Sequence, residues 1–191
     1  MVAEPTLVVI RGNSGSGKTT TGREVRRRYG RGCALIEQDY VRRVMLREHG
    51  GDGMGAVAPA FITAMVREAL GHGYHVVLEG ILHTRQYGRP LRDLIAAHSG
   101  AVFAYWMEVS FEETVRRHEG RAEPIPVGAE QMRSWYTPMD LLGVPGERVI
   151  DESVGPAAVV ELISGLVEAP PLTPCPVVCA RCAEISRRSP S

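Results

Sequence analysis

The sequence predicts an α/β protein in which helices cover both faces of a parallel sheet. Five apolar runs recur along the chain, and each is continuous, a pattern typical of strands buried on both faces. The runs are residues 7–10, 34–36, 75–78, 102–109 and 148–150. Helix-like segments alternate with them, which favours three layers. A length of 191 residues suggests one compact domain.

The predicted helices fill the intervals between these runs. Residues 18–29 form the first, and a second begins just after Asp39, over 40–48. The segment GGDGMG at 50–55 breaks the chain, and Val57, Phe61 and Met65 then recur at the i, i+4 spacing of a longer helix. Further helices are predicted over 86–97, 111–119, 129–136 and 156–167.

The composition changes near Pro170, where the segments PPLTPCP and SRRSPS cannot bury a core. We therefore predict a domain over 1–169 and a tail over 170–191. The tail contains Cys175, Cys179 and Cys182, which could supply part of a zinc site. A structural zinc site normally needs a fourth ligand, and the chain has no second C-x-x-C pair. We interpret the three as unpaired thiols of a reduced protein.

The charge of the chain is balanced, with 22 basic and 22 acidic residues. No global field therefore attracts it to nucleic acid or to an anionic membrane. The N-terminal sequence lacks the pattern of a signal peptide, and no apolar stretch approaches the roughly 20 residues of a membrane span. We expect a cytoplasmic protein without a membrane partner.

The first apolar run leads into a phosphate-binding motif. It matches G-x-x-x-x-G-K-[ST], with a strand before it and a helix after it. Its residues, with the following threonine, are Gly12, Asn13, Ser14, Gly15, Ser16, Gly17, Lys18, Thr19 and Thr20. Lys18 is the single lysine among 22 basic residues, which indicates that a compact charge is needed there. The motif predicts that Lys18 bridges the phosphates of ATP and that the Thr19 hydroxyl binds Mg²⁺.

The single lysine also restricts the class of phosphate-loop protein. A switch GTPase needs an Asn-Lys-x-Asp motif, which this chain cannot contain. Mechanical ATPases place an acidic Walker B residue at a strand end and usually need a larger scaffold. The size of the chain favours a small kinase.

Two carboxylates follow predicted strands at the sheet edge where open α/β sheets bind ligands. Asp39 ends the segment IEQD and precedes Arg42 and Arg43 by three and four residues, so it shares a helix face with at least one of them. A carboxylate there can accept the proton of an attacking hydroxyl; the alternative is that Asp39 caps the helix. Glu79 could hold Mg²⁺ through water or orient the acceptor, or could be a solvated strand-end acid.

A candidate lid follows the fourth run, over about 116–136. Arg116, Arg117 and Arg121 lie at a helix end, before a loop that contains proline and glycine and before a further helix. Such arginines can close over a transferring phosphoryl group and neutralise its charge. The alternative is a solvated charged face.

These residues resemble the P-loop kinases typified by bacteriophage polynucleotide 5′-kinase, a group that includes zeta toxins and chloramphenicol phosphotransferase. The resemblance runs from Leu7 to Tyr136 and depends on the phosphate loop, on IEQDYVRRVML and on ETVRRHEGRAEPIPVGAEQMRSWY. It implies a P-loop kinase fold with a five-stranded parallel sheet and a helical lid. It further implies that Asp39 is the general base, that Arg42 contacts the acceptor, and that Arg117 and Arg121 bind ATP phosphates. Where the phage enzyme has aspartate, this chain has Glu79.

Three functions remain open on the sequence. The first is an ATP-dependent kinase of a small hydroxylated molecule such as a nucleoside, sugar or antibiotic, and the second is a 5′-hydroxyl polynucleotide kinase. The third is a nucleotide-dependent binding module, which would not need Asp39 and the lid together. The balanced charge favours a small molecule over a nucleic acid. Trp135 and Tyr136 could stack on a base or pack on the core.

Overall fold

A computed structural model describes residues 4–48, 57–120 and 127–164. Five parallel strands form one sheet in the order β2-β3-β1-β4-β5. The strands are β1 (Leu7–Gly12), β2 (Cys33–Glu37), β3 (His75–Gly80), β4 (Val102–Glu108) and β5 (Arg148–Asp151). The predicted α/β class and its five-stranded parallel sheet are confirmed.

Helices occupy the intervals between the strands. They are α1 (Lys18–Tyr29), α2 (Gln38–Tyr40), α3 (Ala58–Gly71), α4 (Thr84–Ala97), α5 (Phe111–Glu119), α6 (Ala129–Trp135) and α7 (Pro156–Ser164). The short helix α2 continues directly into a π-helical segment, Val41–Met45.

The predicted start of the second helix is wrong. The helix begins at Gln38, with Glu37 as its N-cap residue, so Asp39 lies inside the first turn. The alternative that Asp39 merely caps the helix is wrong for the same reason. The buried Gln38 side chain accounts for the earlier start, because its amide donates to the Tyr87 hydroxyl and its oxygen accepts from the Ile81 amide.

The two faces of the sheet have separate cores. Alternate residues of a strand point to opposite faces, so Leu7 and Val9 pack in the core beneath α3 and α4. Val8 and Ile10 pack in the other core, beneath α1 and α7. Burying each such side chain stabilises the fold by about 1.5–3 kcal/mol. The three layers of the structure therefore come from helices on both sides of the sheet.

Some predicted features lie outside the described residues. They are the tail after residue 169, its cysteines Cys175, Cys179 and Cys182, and the lid residue Arg121. Among the helices that the structure does describe, none combines the length and the apolar character needed to cross a membrane.

The carboxyl ends of the strands bring the candidate residues to one edge of the sheet. Strand β1 leads into the phosphate loop at residues 13–17 and then into α1. On one side of β1, the neighbouring strand β3 ends just after Glu79. Strand β2 lies beyond β3 and leads into Asp39. On the other side, β4 leads to the candidate lid helix α5.

Candidate functional site

The phosphate loop packs closely against α5, the helix that leads into the candidate lid. Gly15 and Gly17 have left-handed backbone angles, with φ of 81° and 93°, which favour glycine. A Cβ atom on Gly15 would lie 2.7 Å from the backbone oxygen of Thr114 in α5. Glycine is therefore required at position 15 by its backbone angle and by this close approach.

The interior of the loop suits a phosphate group. Lys18 is buried at 8% exposure, and its Nζ donates to the backbone oxygen of Asn13 over 3.2 Å. The Ser16 hydroxyl is also buried, and it has no hydrogen-bond partner within the described part of the chain. The N-terminus of α1, where amides lack helical partners, begins at Lys18. These donors match the oxygens of a bound phosphate.

Thr19 and Glu79 form a direct contact beside the loop. The Thr19 hydroxyl donates to Glu79 Oε2 over 3.0 Å, and Glu79 is only 2% exposed. Burial raises the pKa of Glu79 to about 7, although Lys18 and the Thr19 bond act in the opposite direction. Glu79 is thus a buried carboxyl, and the reading of it as a solvated strand-end acid is wrong. Hydroxyl and carboxylate oxygens are ligands that suit Mg²⁺.

Asp39 and its arginines lie on the neighbouring helical segment. Asp39 Oδ1 is 3.4 Å from Arg43 Nε, and both side chains are more than half exposed. Arg42 forms no ion pair with any described residue. Burial raises the pKa of Tyr87, and the positive charge of Arg42 opposes that rise. The structure therefore pairs Asp39 with Arg43 and leaves Arg42 available at the same edge.

The two described lid arginines have different environments. Arg117 donates from Nε to Glu113 over 2.6 Å, and its Nη1 is 3.4 Å from the backbone oxygen of Ser16 in the phosphate loop. Arg116 contacts Glu113 but is 75% exposed. Hydrogen bonds from Arg116 and Arg117 lower the pKa of Glu113 to about 2. Arg117 therefore faces the phosphate loop, whereas Arg116 faces solvent.

The side chain of Asn13 has a structural role that the motif does not reveal. Its Nδ2 donates to the Thr137 oxygen over 2.9 Å, and its Oδ1 accepts from the Thr137 amide over 3.0 Å. Asn13 thereby attaches the phosphate loop to the segment after α6. Any contact of Asn13 with a nucleotide would come from its backbone. The motif allows any residue at this position, so the sequence offered no signal for the contact.

Arg11 is a second residue that the sequence analysis missed. It is 0% exposed and lies 5.2 Å from the centre of the Trp106 ring. Its guanidinium donates to the backbone oxygen of Leu82 and to both the backbone and the carboxylate of Asp140. The sequence did contain a signal for these contacts, because Arg11 directly follows a buried apolar run and a buried charge needs partners.

A family model described as an AAA domain matches residues 7–139. The chain belongs to this AAA domain family. The matched residues include the phosphate loop, Asp39, Glu79 and the candidate lid, so the family covers the whole candidate site. The family match does not single out the group of kinases that the sequence resembles. No curated protein sequence matches the chain at a significant level.

Solved kinase structures share the fold. The APS kinase of Mycobacterium tuberculosis, in complex with AMPPNP and APS, has a TM-score of 0.66 at 15% identity, covering 86% of this chain and 98% of its own. A gluconokinase from Sinorhizobium meliloti has a TM-score of 0.57 at 20% identity and covers 97% of each chain. The tunicamycin resistance protein of Deinococcus radiodurans has a TM-score of 0.57 at 16% identity, covering 84% and 94%. This family member therefore has the P-loop kinase fold.

Proposed function

We propose that the protein is an ATP-dependent kinase that transfers the γ-phosphoryl group of ATP to a hydroxyl of a small molecule. One observation carries the proposal. A buried phosphate cradle, the Thr19–Glu79 pair and the lid residue Arg117 meet at the sheet edge that also presents the exposed carboxylate of Asp39. A site for binding nucleotide alone would not need that carboxylate.

The donor half of the site holds the phosphates of ATP. The loop amides and Lys18 bind the β- and γ-phosphate oxygens, and Arg117 needs only a short movement from Ser16 to reach them. The charge that develops on the transferring group is then opposed by two cations. Thr19 and Glu79 would hold Mg²⁺, which supplies further neutralisation of phosphate charge when it is bound.

The acceptor half activates the hydroxyl. The Asp39 carboxylate takes the proton of the acceptor O–H as the oxygen forms its bond to the γ-phosphorus. The bond from that phosphorus to the bridging oxygen of ADP breaks in the same transfer. The exposure of Asp39 lets it reach a substrate that enters from solvent. Arg42 binds a polar group of the acceptor.

The contacts of Tyr136 support a small acceptor over a nucleic acid. Its hydroxyl donates to the Val109 oxygen over 2.8 Å, and its ring packs edge-on against Phe111. The guanidinium of Arg133 lies over the Phe111 ring, 3.5 Å from the ring centre. The hydroxyl of Tyr136 and one side of its ring are therefore engaged within the fold, which disfavours the stacking of Tyr136 on a base. The APS kinase and gluconokinase of similar fold are named for small molecules.

A panel of acceptors tests this proposal. The full chain is incubated with ATP and Mg²⁺ and with nucleosides, sugars, aminoglycosides or a 5′-hydroxyl oligonucleotide, and the products are analysed by mass spectrometry. We expect a small molecule to gain the mass of one phosphoryl group. Lys18→Ala is the matched control, and it should abolish that gain.

Two other outcomes would contradict the proposal. A mass gain confined to the oligonucleotide would identify a polynucleotide 5′-kinase. Binding of AMPPNP without transfer to any acceptor, together with ATP turnover no faster than that of Lys18→Ala, would indicate a nucleotide-dependent binding module.

A further inference from the structure

The loop between β3 and α4 connects two residues of the proposed site, since it follows Glu79 and contacts Gln38 beside Asp39. With the last residue of β3 and the first residue of α4 included, it spans residues 80–84, here called loop 80–84, and it packs on the residue that precedes Asp39. A Cβ atom on Gly80 would lie 2.5 Å from Gln38 Cβ, and Gln38 Oε1 accepts from the Ile81 amide over 3.0 Å. Because these contacts are tight, a shift of the loop would also move Asp39.

The loop has a conformation that its own sequence does not favour. Leu82 has a φ of 46°, in the left-handed region that side chains other than glycine rarely adopt. Such a conformation persists when the surrounding structure holds it. Here Arg11 donates to the Leu82 oxygen from both Nε and Nη2, over 3.2 and 3.0 Å. The conformation of the loop is therefore stabilised by Arg11, which lies on β1.

Asp140 makes the contacts that hold the C-terminal end of loop 80–84. Its Oδ2 accepts from the Thr84 amide over 3.0 Å and from Arg11 Nη2 over 2.8 Å. Its Oδ1 accepts from the Thr84 hydroxyl. The Asp140 side chain is 9% exposed. Both carboxylate oxygens are thus engaged in fixing the end of the loop and the first residue of α4.

The N-terminus of α4 is capped by a residue that is distant in the sequence and not by a neighbouring residue. The N-cap residue, His83, makes no capping bond with its side chain. The capping carboxylate comes instead from a residue 56 positions away. Asp140 lies on the same segment as Thr137, which is bonded to Asn13 of the phosphate loop. This segment therefore connects the donor half of the site to the acceptor half.

We propose that Asp140 is a positioning residue for Asp39, the carboxylate proposed to take the proton of the acceptor hydroxyl. It acts through Thr84 and Arg11 to hold loop 80–84, and through that loop to hold Gln38 and Asp39 at a set distance from the phosphate loop. Transfer rates depend steeply on such distances, because a misplacement of about 1 Å can cost about 100-fold. This inference rests on the proposed kinase function.

The test compares Asp140→Asn with Glu147→Gln in the full chain. Glu147 is a matched control, because it is also a buried carboxylate near Arg11, at 3.5 Å, on the same segment. Its hydrogen bonds go to the amides of Leu142 and Gly143 and not to loop 80–84. The measurements are the affinity for AMPPNP by calorimetry, and steady-state kinetics with the acceptor that the wild-type enzyme phosphorylates in the panel above.

For Asp140→Asn we expect a fall of about tenfold or more in kcat/KM for the acceptor, with unchanged AMPPNP affinity and unchanged KM for ATP. Glu147→Gln should stay within about twofold of the wild type. Thr84→Val removes only the hydroxyl contact, so it should lose several-fold in the same parameter. It also provides the test if Asp140→Asn does not fold.

The positioning role would be overturned if Thr84→Val and Asp140→Asn transfer phosphate as fast as the wild type, or if Glu147→Gln loses as much as Asp140→Asn. The second result would mean that any lost charge beside Arg11 has the same effect. A wild-type enzyme that phosphorylates no acceptor would instead refute the proposed kinase function.

Discussion

The donor half and the acceptor half of the site differ in how completely the protein builds them. On the donor side, Lys18 is 8% exposed and Glu79 is 2% exposed, and both have partners within the fold. On the acceptor side, the Asp39 side chain is 59% exposed, and its one ion pair within the described residues is with another exposed side chain, Arg43. The phosphate cradle is therefore preorganised, whereas the proposed acceptor residues Asp39 and Arg43 are exposed to solvent.

This difference has a physical consequence for mutations. A buried group that loses its partner leaves a desolvated charge or dipole, so its removal affects both stability and binding. An exposed pair such as Asp39–Arg43 contributes little to stability, about 0–1 kcal/mol. Changes on the acceptor side should therefore reduce transfer while the fold stays intact, and this separation can be measured.

The largest effect is expected at Lys18. Lys18→Ala should reduce phosphoryl transfer by about 1000-fold, since it removes a cation aimed at developing charge in a water-poor site. Lys18→Arg is the informative companion, because a planar guanidinium does not reproduce a compact ammonium. Turnover of ATP by both variants is measured by ADP release. A Lys18→Ala enzyme with wild-type turnover would exclude the phosphate-loop assignment.

Asp39→Asn should lower transfer by about 100-fold without weakening nucleotide binding, because only the proton acceptor is removed. Acceptor phosphorylation and AMPPNP calorimetry provide the two measurements. Asp93→Asn is a matched control, because Asp93 forms a similarly exposed i, i+4 pair with Arg89. If Asp39→Asn lowers the AMPPNP affinity or the melting temperature as much as it lowers transfer, Asp39 is structural.

Glu79 should make the free energy of unfolding depend on pH. Its pKa is about 7 in the fold against an ordinary value of 4.5. Between these values the folded chain keeps a proton that the unfolded chain has lost, so stability falls as the pH rises through this window. We expect the wild type to lose about 2 kcal/mol between about pH 5 and pH 8 relative to Glu79→Gln.

Chemical denaturation at both pH values measures this difference between wild type and Glu79→Gln. Glu113→Gln serves as the control, because hydrogen bonds from arginine lower the pKa of Glu113 to about 2, below the window. If the free energy of unfolding changed equally with pH in the wild type and in Glu79→Gln, burial would not raise the pKa of Glu79.

The smallest effect is expected at the lid. Arg117→Ala should lower transfer by about tenfold, the value of one hydrogen bond from a charged group. Arg116→Ala, one residue away and facing solvent, should leave transfer within about twofold. Equal losses in the two variants would show that the lid acts through its net charge and not through the contact of Arg117 with the phosphate loop.

The sequence predicted the fold more completely than the site. Continuous apolar runs located all five strands, because burial on both faces leaves a local signature that periodicity reveals. The same reasoning misplaced the start of the helix at Asp39, since that start depends on Gln38 contacting Ile81 and Tyr87, which lie 43 and 49 residues away. Residue patterns alone could not distinguish Arg116 from Arg117, because one residue of rotation on α5 separates solvent from the phosphate loop; only the resemblance to P-loop kinases selected Arg117.

The sequence by itself determined the phosphate loop, the alternation of strands and helices, and the place of Asp39 and Glu79 near the carboxyl ends of strands. Each of these is encoded within a few neighbouring residues. Only the tertiary structure decided that Arg11 and Asp140 hold loop 80–84, and that Asn13 holds Thr137. Those contacts join residues 56 to 129 positions apart, and such pairings are set by how the layers pack.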